Sequence, residues 1–336
     1  MKIIFKILKA GSGTDVYFKT LSDELKKHNI ETEIISKSNY LEHFPWLLKL
    51  LNSKTNADII HSVAEYGWAF KEANKPLIVT LHHSVFNELY FKSLPLYKQI
   101  YYTIFLKPNI KKSLKCADII LTGSNSTKKD IIQGFGNLNI ENKIKMIYYG
   151  IDFDKFKKEG VKLDNSKFKL LFVGNLIHRK GVDLLPNIMK DLGKAYELYY
   201  VPGLRKVRIK GLGNNIKSIK EVGLKNVLEA YNYCDALLFP TRLEGFGYVL
   251  LEALACGKPV ISTNCSSIPE IVEEGKTGYL CKFEDITDFR NKICELREKY
   301  EGFNKRMANE RAMLLDKFSL QRMAKEYKIV YLELIK

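Results

Sequence analysis

The chain has 336 residues, 46% of them hydrophobic and 27% charged, with a formal net charge of +16. That length suits two domains with sizeable cores, and the interspersed apolar and charged residues exclude general disorder. No apolar run approaches the roughly 20 residues needed to span a bilayer, and the six cysteines show no C-x-x-C spacing, which argues against a zinc site.

The positive excess is spread along the chain. Residues 1–152 hold 21 lysines against 14 acids and no arginine, and the remainder holds 33 basic against 24 acidic residues. Such a spread fits a polyanionic ligand, an anionic membrane surface or a lysine-rich bias. No arginine-rich helix or RNP-like aromatic strand accompanies it, so nucleic acid is not an expected partner. The start, Met1-Lys-Ile-Ile-Phe-Lys, places lysines in a strand-like run and lacks the apolar core of a signal peptide. The expected location is cytoplasmic.

In chain order, residues 2–8 predict a buried strand, then a turn with Gly11 and Gly13, then a helix with apolar positions at Val16, Phe18, Leu21 and Leu25. Strand, glycine turn, helix begins a Rossmann-like unit, although two glycines serve a ligand-free tight turn equally well. Ile34-Ile35 and Ala57–His61 read as further strands, with a short amphipathic helix over Phe44–Leu51 between them. The strand Pro76–Leu81 delivers His82-His83-Ser84 at its carboxyl end, where ligands gather in doubly wound sheets and where a histidine can equally pack or cap.

Leu89 to Lys115 holds six lysines, six aromatics and no acid. Basic residues interleaved with aromatics suit an interfacial segment, and a helix packed on its sheet accounts for the same pattern. Strands over Cys116–Thr122 and Lys145–Asp152 complete the first domain, 1–152. The polar stretch 153–167 is expected to be a linker.

The second domain, 168–316, opens with the strand Phe168–Gly174 and the loop Asn175-Leu-Ile-His-Arg179-Lys180-Gly181. Two adjacent cations at that turn suit a diphosphate, arginine as a forked donor and lysine as a mobile point charge; a surface pair is the plain alternative. Glu197–Gly203 and Lys206–Gly211 read as strands, and Gly211-Leu-Gly213 as a turn. An apolar strand, Ala236–Pro240, then leads into Thr241-Arg-Leu-Glu244-Gly245-Phe246-Gly247 and a helix that carries Glu252. A helix start near Phe246 or Gly247 would present backbone N–H groups to a phosphate. Pro259–Thr263, a strand entered at Lys276–Leu280, two helices and a terminal amphipathic helix in 317–336 follow.

The run Glu244-Gly-Phe-Gly-Tyr-Val-Leu-Leu-Glu252, continued by Ala253-Leu-Ala-Cys-Gly257-Lys-Pro259, resembles the signature of the family 4 glycosyltransferases, retaining nucleotide-sugar transferases of GT-B fold. The resemblance covers nearly the whole chain and is strongest in 168–181 and 235–282. It implies two Rossmann-like α/β domains with parallel sheets facing across a cleft, and a C-terminal helix crossing back to the first domain. It also implies a nucleotide-diphosphate sugar, UDP- or GDP-linked, as donor and a glycan or lipid-linked acceptor, with no metal.

By the same resemblance Arg179 and Lys180 hold the diphosphate, Glu244 meets the sugar, Glu252 the ribose, and His82, preferred over His83, completes the sugar pocket. The backbone of Gly245, Phe246 and Gly247 takes phosphate charge, and Gly11 and Gly13 line the cleft. Departures are Asn175, where many members have arginine, Tyr149 in place of an asparagine, and Ser266-Ser267 where glycines are frequent. A same-fold synthase with a soluble or polysaccharide acceptor and a non-catalytic sugar-binding relative remain open. An oxidoreductase is disfavoured because the first turn lacks G-x-G-x-x-G. Peripheral attachment to the inner face of the cell membrane through 89–115 is a further expectation.

Overall fold

In the computed structural model, residues 1–9, 11, 13–159, 166–203 and 213–335 are described. The chain divides into two compact units, Met1–Gly150 with Leu320–Lys336, and Ile151–Ser319.

The first unit contains strands β1 (Lys2–Lys9), β2 (Glu31–Ser38), β3 (Ile59–Val63), β4 (Leu77–Thr80), β5 (Ile119–Thr122) and β6 (Ile144–Met146). They form one sheet in the order β2-β1-β3-β4-β5-β6, every pair parallel. Its helices are α1 (Gly13–Lys27), α2 (Pro45–Leu50), α3 (Glu88–Lys92), α4 (Leu96–Tyr101), α5 (Lys107–Cys116) and α6 (Asn125–Phe135). Strands covered on both faces are mainly apolar, and β3, β4 and β5 are buried throughout; the polar pair in β3 is partnered, His61 by Tyr331 and Thr80 and Ser62 by the Lys6 carbonyl. Lys6 is tolerated inside β1 because its ammonium reaches Glu72 at 2.7 Å, Asn52 at 2.6 Å and the Ser53 carbonyl at 2.8 Å.

The second unit contains β7 (Phe168–Gly174), β8 (Tyr196–Pro202), β9 (Ile216–Ser218), β10 (Ala236–Phe239), β11 (Val260–Thr263) and β12 (Gly278–Cys281). Their order is β12-β11-β10-β7-β8-β9, again all parallel. Helices α7 (Leu185–Leu192), α8 (Val227–Tyr233), α9 (Tyr248–Ala255), α10 (Ile286–Glu298) and α11 (Tyr300–Phe318) belong to it. The last helix, α12 (Leu320–Glu333), is part of the first unit. It buries Met323, Ala324, Tyr327, Val330 and Tyr331. The Tyr327 hydroxyl meets that of Tyr17 at 2.5 Å, and the Tyr331 hydroxyl meets His61 Nδ1 at 2.8 Å. Ser319 stands in extended backbone directly before this helix.

Several elements differ from the sequence reading. The last strand of the first sheet has three residues rather than eight. Beyond it the Ile147 amide still donates to the Thr122 carbonyl at 2.9 Å, and the Gly150 amide meets the Met323 sulfur. Leu89–Lys115 is three helices with a π turn at Tyr102–Leu106, because Pro95 and Pro108 reset the backbone. In the expected linker, Phe153 and Phe156 are buried in the second unit, and Arg311 donates to both of their carbonyls. Residues 160–165, the expected strand Lys206–Gly211 and most of the turn Gly211–Gly213 lie outside the described residues.

Candidate functional site

In each sheet one strand is followed on opposite sides by its successors, and this switch point opens at the carboxyl ends, where doubly wound folds bind ligands. In the second unit it lies between β7 and β10. The loop after β7 carries Arg179 and Lys180, and the loop after β10 carries Glu244. The adjacent cations and Glu244, 65 and 64 positions away in sequence, meet there.

Lys180 Nζ contacts Glu244 Oε1, and Arg179 Nη1 lies 3.5 Å from the same oxygen. Arg179 also donates to the Leu243 carbonyl at 2.8 Å. Lys180 Nζ sits 4.8 Å above the Phe239 ring centroid. Burial, with the Arg179 guanidinium beside it, pushes the Lys180 ammonium well below its ordinary value, and the touching Glu244 carboxylate opposes that push. The result is a partly desolvated cluster of two cations and one carboxylate, with an excess positive charge.

The backbone explains why these loops carry glycine. Gly181 has φ +68°, and a Cβ on it would overlap the Pro240 carbonyl, so the cation loop closes on the β10 loop only with glycine. Gly247, at φ +102°, turns the chain into α9. That helix starts at Tyr248, one or two residues after the expected start at Phe246 or Gly247. The Glu244 amide donates to Ser266 Oγ at 2.9 Å, and Ser267 Oγ donates to the Phe246 carbonyl at 2.9 Å. The serine pair standing where glycines are frequent therefore fastens the loop, Ser266 itself at φ +46°. The Phe246 ring is buried against Tyr248 and Phe318, so only its backbone can face a ligand.

Glu252, on α9, accepts from the Tyr231 hydroxyl at 2.8 Å. Burial raises its carboxyl above the ordinary value, while the Tyr231 hydrogen bond and Lys155 pull the other way. The Asn175 side chain packs against the Gly203 backbone, where a Cβ on Gly203 would overlap it.

In the first unit His82 follows β4. Its Nδ1 lies 2.9 Å from the Tyr149 hydroxyl, and its ring meets Tyr17 edge-on at 4.7 Å. Its Nε2 is buried without a hydrogen-bond partner. Burial lowers it to about 4, so the ring is neutral near pH 7 and can exchange hydrogen bonds but brings no charge. Gly11, at φ +58°, and Gly13, the first residue of α1, follow β1 on the same edge of this sheet.

Three residues escaped the sequence reading. Arg242, 3% exposed, pairs with Asp183 and Glu284 and donates to the His178 carbonyl at 2.6 Å, binding the cation loop to the Glu244 loop. Tyr231 holds Glu252. Glu65 follows β3 at the first sheet's switch point; its Oε2 is buried without a partner, and burial with the nearby Glu42 raises it to about 7. The signal for Arg242 was its place beside the motif; Tyr231 and Glu65 had none.

Comparison with known proteins agrees with this architecture. The family model described as Glycosyl transferases group 1 matches residues 152–312, and the one described as Glycosyltransferase Family 4 matches residues 36–155. An uncharacterised glycosyltransferase of Methanocaldococcus jannaschii is 29% identical, over 95% of this chain and 91% of its own. Sucrose-phosphate synthase of Thermosynechococcus elongatus superposes with a TM-score of 0.82 at 17% identity, covering 98% of both chains. HepE of Anabaena, in complex with UDP and glucose, does so with 0.76 at 18% identity, covering 98% of this chain and 99% of that one. The chain belongs to the family 4 glycosyltransferases, and its two parallel-sheet units are those of the GT-B fold.

Proposed function

We propose that this glycosyltransferase moves a hexosyl group from a UDP- or GDP-linked sugar to a glycan or lipid-linked acceptor, with retention of anomeric configuration and without a metal ion. The observation that carries this reading is the Arg179–Lys180–Glu244 cluster at the switch point of the second sheet. HepE, bound to UDP and glucose, supports a nucleotide-sugar donor.

On this reading an arriving diphosphate shares the two cations with Glu244. When the bond between the anomeric carbon and the phosphate oxygen breaks, negative charge collects on the leaving diphosphate. Arg179, Lys180 and the backbone from Gly245 to Gly247 stabilise it, and because they are already desolvated they reorganise little. The acceptor oxygen bonds the anomeric carbon as that bond breaks, and its proton passes to the departing diphosphate oxygen. Glu244 hydrogen-bonds the sugar, and Glu252 accepts from ribose hydroxyls.

The likeness to sucrose-phosphate synthase supports a second reading, a soluble sugar as acceptor. One assay separates these outcomes. The protein is incubated with UDP- and GDP-sugars and either soluble sugars or lipid-linked glycans, with and without EDTA. Nucleoside diphosphate release unaffected by EDTA, with an α-product from an α-donor, is expected. Release that needs a divalent metal, or an inverted product, contradicts the proposal.

A further inference from the structure

We infer that the first unit carries an interfacial face for an anionic lipid bilayer, built from two neighbouring segments, residues 40–51 and 96–104. Neither α4 nor the π turn after it has a buried residue. Leu96, Ile100 and Ile104, spaced by four, are each half or more exposed, and Tyr97 and Tyr101 stand beside them. In the other segment Tyr40, Phe44, Trp46 and Leu50 are exposed. Scattered exposed apolar residues are ordinary, but a contiguous set of this size marks an interaction surface.

The two segments form one surface. His43 Nδ1 lies 3.2 Å from the Tyr101 hydroxyl. The Trp68 ring has Lys49 Nζ 5.9 Å and Lys112 Nζ 4.8 Å from its centroid, so α2 and α5 meet on it. The apolar side chains are thus bordered by Lys49 and Lys112 at Trp68 and by Lys98 at Tyr97. No acid occurs between residues 89 and 115, Glu88 is paired with Lys92 at 2.6 Å, and Glu42 is only half-exposed.

Charge selects the occupant. A second copy of the chain would bring the same positive rim and be repelled. An anionic bilayer matches it, and each lysine close to such a surface raises partitioning by roughly fivefold. Tyrosine and tryptophan rings have an apolar body and a polar tip, which suits the headgroup level. No helix among the described residues is long and apolar enough to cross a membrane, so the contact is with the surface.

The test is flotation of the purified full chain with phosphatidylcholine vesicles, with and without phosphatidylglycerol, compared with Leu96→Ser/Ile100→Ser/Ile104→Ser and with Lys49→Glu/Lys98→Glu. The wild type is expected to float only with the anionic vesicles, and salt to weaken it. Both variants are expected to float at least tenfold less while keeping the wild-type melting temperature, because the replaced side chains contact solvent. Wild type left in the dense fraction, or variants that float as well as it does, would overturn the inference. So would lipid-independent self-association that the serine variant abolishes. Flotation needs neither donor nor acceptor, so its outcome is separate from that of the proposed reaction.

Discussion

Arg242 grips Asp183 through two parallel hydrogen bonds, Nη1 to Oδ1 and Nη2 to Oδ2, each 2.7 Å long. The same guanidinium reaches the His178 carbonyl, and the Arg242 amide donates to the Arg179 carbonyl at 2.8 Å. The loop with the cations is thereby held in register against the loop with Glu244. A lysine has no such fork, so Arg242→Lys is expected to weaken donor binding about tenfold or more through misplaced cations. Because Asp183 is half-exposed, the stability cost of Arg242→Ala should be modest, about 1–3 kcal/mol. Donor titration and urea unfolding of the same variants measure the two effects separately. A variant that binds donor normally would show that this contact does not position the loop.

The two glutamates should divide in their effects. Glu252→Ala removes the carboxylate expected to accept from ribose, so it should raise the dissociation constant for the nucleoside diphosphate. Glu244→Ala should leave that constant within a few-fold, since it also frees Arg179 and Lys180, and should slow transfer by about 100-fold or more. Calorimetric binding beside steady-state kinetics distinguishes them. Full turnover in both would remove them from the site.

Gly123 and Tyr149 form a matched pair. A Cβ on Gly123 would lie 2.6 Å from the Tyr149 ring. Gly123→Ala should therefore cost about 1–3 kcal/mol by overpacking. Adding Tyr149→Asn, the residue common at this place in the family, should recover a large part of that loss. A double-mutant cycle by denaturant unfolding gives the coupling; simple additivity would contradict it.

Glu65 predicts a pH dependence. Its folded value is raised to about 7 from an ordinary 4.5, so between those values the folded state binds more protons than the unfolded. The wild type loses this contribution as pH rises through that window. Glu65→Gln has no such loss, and its stability relative to wild type should increase from pH 4.5 to pH 8 by up to roughly 3 kcal/mol. Melting curves across this range check it; a constant difference would mean that the carboxyl is not protonated on burial.

Much of this was legible because local chemistry and position coincide. A buried strand, a glycine-punctuated loop and a helix announce themselves by period, so the Arg179-Lys180-Gly181 and Glu244–Glu252 loops could be placed at strand ends before any coordinates. What joins them was not legible. Asp183 and Arg242 lie far apart in sequence, and a surface aspartate beside a motif arginine looks like any other. Tyr231 and Glu65 sit in otherwise ordinary helix and loop sequence, and only the packing shows what their oxygens face. The lysine- and aromatic-rich stretch from Leu89 suggested an interfacial segment, yet it took the exposure of Trp46 and Leu50 from another part of the chain to define a surface.

The central claim is that the Lys180–Arg179 pair beside Glu244 is built for a nucleoside diphosphate. The most direct measurement is the melting temperature of wild type and Lys180→Ala with UDP, GDP, ADP or NAD, without metal. Binding to the folded state raises the midpoint by mass action. Stabilisation of the wild type by UDP or GDP, absent in Lys180→Ala, is predicted. A shift with NAD alone, or equal shifts in wild type and variant, would contradict it.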